Sequence, residues 1–298
     1  MSLTATAVIY ACFAVLLAAH GEWLQSIAGP HAPLLARLVV PIRRAARDFA
    51  LVAACAIAIH FVYAVLARRA CASRRVAPRR PARAQVAREI LLVANLYLAI
   101  GVQAALYIVL KEMGYTRVYT DIAQYGWGYA IASGVFFIVF ADAWSYFSHL
   151  AFHRSRFLYR NAHYVHHLSV VTTPWSTSQG SPFELLPSTL FAALVLTTIP
   201  LCIPVFIVVT LAGMVHQMVV HGGVEVFPRG TATHPLGRWI VTPTYHQMHH
   251  EVVDGNMGFY FTWWDSLMGT RISEYPARFA KVTGESRASL PEGGALTT

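Results

Sequence analysis

Residues 142–167 read DAWSYFSHLAFHRSRFLYRNAHYVHH, and the fold turns on how this stretch is read. On a helix, His149 and His153 stand one turn apart, and Asp142 and Tyr146 fall within roughly 60° of the same stripe at about 100° per residue. A polar stripe therefore runs along a helix that is otherwise apolar. His163, His166 and His167 carry the i, i+3, i+4 spacing that brings three imidazoles onto one helical face, and HQMHH repeats it at His246, His249 and His250. Imidazole is the commonest protein ligand for transition metals, and nitrogen donors suit iron, zinc, copper and nickel better than magnesium or calcium. These histidines are too many for one ion. Two adjacent metals, sharing the triads across facing helices, is the economical reading.

The surrounding chain places this stretch in a membrane protein. Of 298 residues, 56% are hydrophobic and only 12% charged, against about 25% charged in a typical soluble domain. Mean hydropathy is +0.48. The four cysteines are scattered, with Cys12, Cys55 and Cys202 in apolar stretches and Cys71 in a basic loop. Without a CxxC pair they argue against a disulfide framework and a thiolate metal site. The net charge of +9 arises largely from arginines between hydrophobic segments. No nucleic-acid motif accompanies them, so lipid headgroups or an acidic protein are the expected partners.

Uncharged runs at 3–19, 49–67 and 90–110 approach the roughly 20 residues that cross a bilayer core, and 127–148, which carries Asp142, supplies another span. The N-terminus, lacking a basic n-region, reads as a retained first span. Arg68, Arg69, Arg74, Arg75, Arg79, Arg80, Arg83 and Arg88 form a loop that the positive-inside rule places in the cytoplasm, although Arg37, Arg43, Arg44 and Arg47 weigh against it. Counting forward, His149 and His153 emerge on the cytoplasmic side. The apolar run 185–215, interrupted by Pro200 and Pro204, reads as a re-entrant or short helical hairpin of two halves, each about 22 Å long. Such a hairpin returns His221 and the second triad to the side of the first. The expected fold is all-α: a multi-pass transmembrane helical bundle with a cytoplasmic helical cap carrying a histidine-rich di-metal site. Its parts are N-terminal transmembrane helices over 1–125 with the basic loop at 68–88, a catalytic region over 126–272, and a flexible tail over 273–298.

From 140 to 271 the pattern of His149, His153, His163, His166, His167, His221, His246, His249 and His250 resembles the fatty acid hydroxylase/sterol desaturase superfamily of integral-membrane di-iron oxygenases. FLYRNAHYVHHLS is similar to the aromatic lead into that family's first HxxHH. IVTPTYHQMHHEVVDGNMGFYFTWWDSLMGTR is similar to its final box, with Thr-Pro before the histidines and Asn256, Gly258, Trp264, Asp265, Gly269 and Thr270 after them. The chain departs from the family at Leu150, where Arg is frequent, and at Ser181 in SPFELL, where a histidine is frequent.

The resemblance implies that these nine histidines bind two iron ions, with zinc able to substitute in recombinant protein. O2 would be the co-substrate, and an unactivated lipid C–H bond would be hydroxylated or, alternatively, desaturated. Asp142, Glu184, Asp254, Asp265, Asn256 and Gln217 are expected to orient the ligands, Asp142 first because it shares the His149 face. His216 is a weaker metal candidate. The lipid substrate would be an acyl chain, a sterol or an isoprenoid, and electrons would come from a separate ferredoxin or cytochrome with its reductase. The expected location is a bacterial inner membrane, with the site on the cytoplasmic side.

Several residues have blander readings. His20, His31, His60 and His234 are read as ordinary core or interface histidines. Trp127, Tyr129, Trp144, Trp263 and Trp264 read first as interfacial aromatics. A metalloprotease would need HExxH, and HLAFH has Leu150 in place of the glutamate. A metal transporter is the rival from another class, but its ligands should line a path near the bilayer midplane.

Overall fold

The computed structural model describes residues 61, 63, 65, 66, 69–178 and 180–285. The expected span at 3–19, most of that at 49–67, His20, His31, His60 and the chain beyond 285 lie outside them. The helices are α1 (Arg83–Glu112), α2 (Gly126–Arg154), α3 (Arg156–Leu158), α4 (Tyr164–His167), α5 (Leu186–Thr198), α6 (Ile203–Val220), α7 (Pro243–Val252), α8 (Trp263–Met268) and α9 (Tyr275–Thr283). A π-helical turn, Tyr159–His163, joins α3 to α4. No strand occurs among the described residues, only three isolated bridges.

The apolar runs form the long helices. α2 has 29 residues and α6 has 18, and both are long and apolar enough to cross a membrane. The run 185–215 breaks at Pro200, as expected, but unequally: α5 has 13 residues and α6 has 18. At 1.5 Å per residue α6 is about 27 Å long, close to the hydrocarbon thickness and longer than the half-span read from the sequence. Pro204 sits in the first turn of α6, where its missing N–H leaves no helix bond unmade.

α5 packs against α1 and α2, and α6 packs against α2. Where lipid replaces water, such contacts rest on close packing more than on hydrophobic burial. Phe137 of α2 lies 5.7 Å from Phe191 of α5 and 5.2 Å from Phe206 of α6, ring centre to ring centre. Gly134 lets α2 and α6 approach, since a Cβ there would stand 2.7 Å from Val205 Cγ1.

The bundle has two unlike ends. At one, Tyr119 N donates to Leu201 O and Ile203 N donates to Tyr119 O. The other gathers the histidine boxes and the arginine segment, where Glu225 N donates to Arg74 O and Val76 N donates to Gly223 O. The arginine segment and the boxes thus share one end, and residues 113–125 cap the opposite one.

The expected flexible tail over 273–298 needs correction at its start. Tyr275 and Phe279 of α9 are fully buried in a cluster with Val241, Tyr245 and Met248. The segment is polar overall, but two aromatics one turn apart are enough to seat a short amphipathic helix.

Candidate metal centre

Each histidine is set by a helix end. His149 and His153 occupy the last turns of α2, His163 closes the π turn, His166 and His167 end α4, and His221 follows α6. The second triad stands on α7, which is capped by Thr242, whose Oγ1 accepts from Tyr245 N at 3.3 Å. α7 ends where Val253 takes a left-handed φ of 68°.

The imidazoles form two groups: His149, His153, His163, His167 and His249, and His166, His221, His246 and His250. The triads interleave. His163 and His167 serve the first group while His166 crosses to the second; His246 and His250 serve the second while His249 crosses to the first. Helical geometry explains the exchange: residues i and i+4 lie about 40° apart, whereas i+3 and i+4 diverge by about 100°. The single face expected from the sequence is two faces.

In the first group the Nε2 atoms converge. His149 lies 3.0 Å from His163 and 3.1 Å from His153, and His167 lies 3.1, 3.2 and 3.2 Å from His163, His153 and His249. His149 Nδ1 faces Met257 O at 2.9 Å and His249 Nδ1 faces Gly255 O at 2.7 Å. Carbonyl oxygens only accept, so in both rings Nδ1 carries the proton and Nε2 presents a lone pair. His153, His163 and His167 would then each have to donate toward these two rings. That leaves N–H facing N–H between His167 and both His153 and His163, so no set of neutral tautomers satisfies every contact. A cation shared by five lone pairs does. Perpendicular bonds of about 2.1 Å would put neighbouring nitrogens about 3.0 Å apart, which matches these spacings. In the second group His246 Nε2 lies 2.9 Å from His221 Nε2 and 3.0 Å from His250 Nε2.

Burial also holds the rings neutral. His163, His246, His249 and His250 are pushed well below the usual histidine range, first by desolvation and then by neighbouring imidazoles. His167 is lowered to about 3, again chiefly by burial. A neutral ring is the form that binds metal.

The expected supporting residues fall into three sets. Glu184 touches an imidazole directly, its Oε1 lying 2.7 Å from His163 Nδ1. Asp142, Asp265, Asn256 and Gln217 act one step further out, on the loop that carries the orienting carbonyls. Asp142, fully buried, accepts from Tyr260 N at 2.8 Å, Phe261 N at 3.2 Å and Trp263 Nε1 at 2.9 Å. Asp265 accepts from Met257 N and Gly258 N, each at 2.7 Å, and from Tyr245 OH at 2.8 Å. Asn256 ties the loop to Tyr245 O and Ile272 N.

The direct grip of Asp142 on His149, read from a shared helix face, is therefore replaced by a relay through loop backbone. Gln217 reaches Phe259 O with its side chain, and it is its own carbonyl that faces His221 Nδ1, at 2.9 Å. The third set stands apart: Asp254 is exposed, and His216 Nε2 lies 3.1 Å from Val241 O, outside both groups. Gly258 is required by closeness, because a Cβ would come within 2.6 Å of Phe261 O.

Sequence reading missed three buried polar residues. Glu225 holds the N-terminus of α7 through Thr244 N at 3.0 Å. Gln247, between the histidines of the second box, accepts from Thr172 N at 2.9 Å. Glu89 lies between the stretches read as basic loop and as membrane span; a lone carboxylate at the start of an apolar helix was the available signal.

Beside the groups lies a cavity of about 390 Å³. Its wall includes Trp144, Phe152, Phe191, Met214 and Phe259, and His149, His163, His166, His221 and His246 reach it. The arrangement sets imidazole nitrogens that could hold a metal against an apolar chamber.

A fatty acid hydroxylase family model matches residues 134–270, the stretch whose motifs carry the resemblance. A Δ7-sterol 5(6)-desaturase of Gibberella zeae is 26% identical over 163 residues, covering 55% of this chain and 49% of that protein. Lathosterol oxidase of Rattus norvegicus is 28% identical over 197 residues, 65% of this chain and 63% of the relative. Cholesterol 25-hydroxylase of Rattus norvegicus is 37% identical over 128 residues, 41% of each. The chain spans about half the length of the first of these curated relatives. No solved structure gives a significant match. The histidine-bearing region, residues 134–270, belongs to the fatty acid hydroxylase/sterol desaturase superfamily.

Proposed function

We propose that this chain is a membrane-embedded oxidoreductase that hydroxylates an unactivated C–H bond of a sterol or isoprenoid-type lipid, using O2 and two electrons. The observation that carries the reading is the pair of adjoining imidazole groups, five and four strong, at the wall of an apolar cavity. The nine histidines would hold two irons, which when bound supply O2 reduction and hydrogen removal. The overall balance is lipid C–H plus O2, two electrons and two protons to lipid C–OH plus water.

The chain's own residues do the rest. Met257 O and Gly255 O fix His149 and His249 with Nε2 deprotonated, Glu184 orients His163, and the aromatic wall excludes water and holds the lipid beside the metal-binding nitrogens. Removing water in this way limits unproductive loss of reactive species.

Metal analysis of the purified full chain, O2 consumption with a chemical reductant, and lipid profiling of a deletion strain test the proposal together. Two irons per chain and a lipid differing by one oxygen are expected. Absence of reductant-dependent O2 uptake by iron-loaded protein would sink it. The desaturase reading has its own support, because the sterol desaturase and lathosterol oxidase relatives align over more of this chain than the hydroxylase does. A lipid differing by two hydrogens would select it.

The electrons are proposed to come from a separate acidic carrier of ferredoxin or cytochrome type. Arg75, Arg79 and Arg80 are exposed at the end that bears the boxes, and such a field accelerates encounter with an acidic protein. Arg74 serves the fold instead, donating to Phe227 O at 3.1 Å. The membrane side of this end is proposed to be cytoplasmic, on the strength of the same arginines.

A further inference from the structure

The segment that follows the first triad, residues 168–173, is bonded on two sides. From α1, Arg88 donates to Leu168 O at 2.8 Å and Gln85 donates to Val171 O at 2.6 Å. Glu89, fully buried, accepts from Ser169 Oγ at 2.6 Å and from Thr173 Oγ1. From α7, Gln247 donates to Val170 O at 2.8 Å and accepts from both Thr172 N and Thr172 Oγ1 at 2.9 Å. All six residues of the segment are therefore tied, four to α1 and two to α7. The segment begins directly after His167, and Ser169 N donates back to His166 O at 3.2 Å. Gln247 stands between His246 and His249, whose rings belong to different groups.

We infer that Glu89 and Gln247 are positioning residues that clamp this strap and thereby set the first triad against the second, so that each can lend one histidine to the other's group. Glu89 lies outside residues 134–270, so α1 contributes to the metal centre as well as to the bundle. A buried carboxylate is costly unless its oxygens are engaged, and here both are, Oε1 by Ser169 Oγ and by Gln85 Nε2 of its own helix, Oε2 by Thr173 Oγ1. Without Glu89, the hydroxyls of Ser169 and Thr173 lose their acceptor, and the strap keeps only the ties of its other four residues. Interleaved ligands tolerate little displacement, because each group takes nitrogens from both triads.

The inference rests on reading the imidazole groups as a two-metal centre, and the test separates the two. Co2+ is titrated into the metal-stripped, detergent-solubilised full chain and followed by its visible d–d absorption, with far-UV circular dichroism as a measure of fold. Glu89→Ala and Gln247→Ala are each expected to weaken Co2+ binding by about tenfold or more and to change the band shape while helicity is retained. The double variant is expected to be little worse than the worse single, since both release the same strap. Glu89→Gln, which keeps an acceptor oxygen in place, is expected to restore most of the affinity.

Unchanged titrations and spectra in both alanine variants would overturn the clamp, as would losses that track lost helicity. If Glu89→Ala does not fold, Gln247→Ala decides alone. A wild-type chain that binds no Co2+ removes the two-metal reading and the clamp with it.

Discussion

In the five-membered imidazole group, His149, His163 and His249 have Nδ1 engaged by Met257 O, Glu184 and Gly255 O and His167 Nδ1 has no hydrogen-bond partner, whereas in the four-membered group His221 Nδ1 faces Gln217 O and His246 and His250 keep buried Nδ1 atoms without one. A ring whose far nitrogen is bonded has its tautomer and angle chosen before metal arrives. A ring without that bond must be held by packing alone. The two groups draw on the same triads, yet three rings of the first have an outer partner on Nδ1, while two rings of the second rest on the walls of the fold. The difference teaches that the outer network belongs largely to the loop after the second box, whose Met257 O and Gly255 O orient one ring of α2 and one of α7.

The severest challenge to this comparison is removal of a crossing histidine. His249→Ala should abolish turnover and take metal from the five-membered group, although its neighbours His246 and His250 serve the other. His166→Ala should do the reverse. Iron counts near one per chain in each variant, with distinct spectra, would sharpen the division; full activity in either would break the di-metal assignment. A smaller effect is expected from Glu184→Gln, which keeps the volume but replaces the carboxyl group facing His163 by an amide. Affinity at the five-membered group should fall about tenfold to a hundredfold, the usual range for such outer partners. Unchanged affinity by metal titration would show that Glu184 serves the cavity instead.

The third expectation concerns pH. His163, His246, His249 and His250 have folded-state pKa values well below the ordinary one, and that of His167 is about 3. The unfolded chain therefore binds more protons than the folded one below about pH 6.5, and stability gained above that value is lost as pH falls toward the folded-state values. Melting of the metal-free protein between pH 8 and pH 4 should show this decline. A flat profile would mean that water reaches the rings. Smallest is the effect of neutralising Arg75, Arg79 and Arg80. Turnover with a protein electron donor should fall severalfold at low salt and recover toward parity at high salt, while turnover with a small chemical reductant stays the same. Equal losses with both donors would reassign the segment to folding or lipid binding.

The histidines were legible because their spacing is helical and such clusters are rare. Their sorting into five and four was not, because it follows from two helices meeting at an angle, which no local period encodes. Asp142 shows the same limit. Its place on the His149 face is readable, but its partners Tyr260, Phe261 and Trp263 lie more than a hundred residues away and come to it only through the fold. α9 was misread for the opposite reason. Its composition is polar, and only Tyr275 and Phe279 reveal that it docks. The helix break at Pro200 was readable from covalent geometry alone; the uneven lengths on either side depend on how far α6 is drawn toward His221.

The π-helical turn at Tyr159–His163 bonds Tyr164 N to Tyr159 O, spanning five residues where an α-helix spans four. It holds one residue more than a regular helix needs between Ser155 and the first triad. The five-residue π turn winds through about the same angle as a four-residue α turn, so loss of one codon here, such as that for Asn161, would let the helix close to the α form with His163, His166 and His167 still near their phase. For a sequence under mutation, this turn is thus a place where a single in-frame deletion can be absorbed, while the same deletion between His149 and His153 of α2 would turn one ring by about 100° from the other.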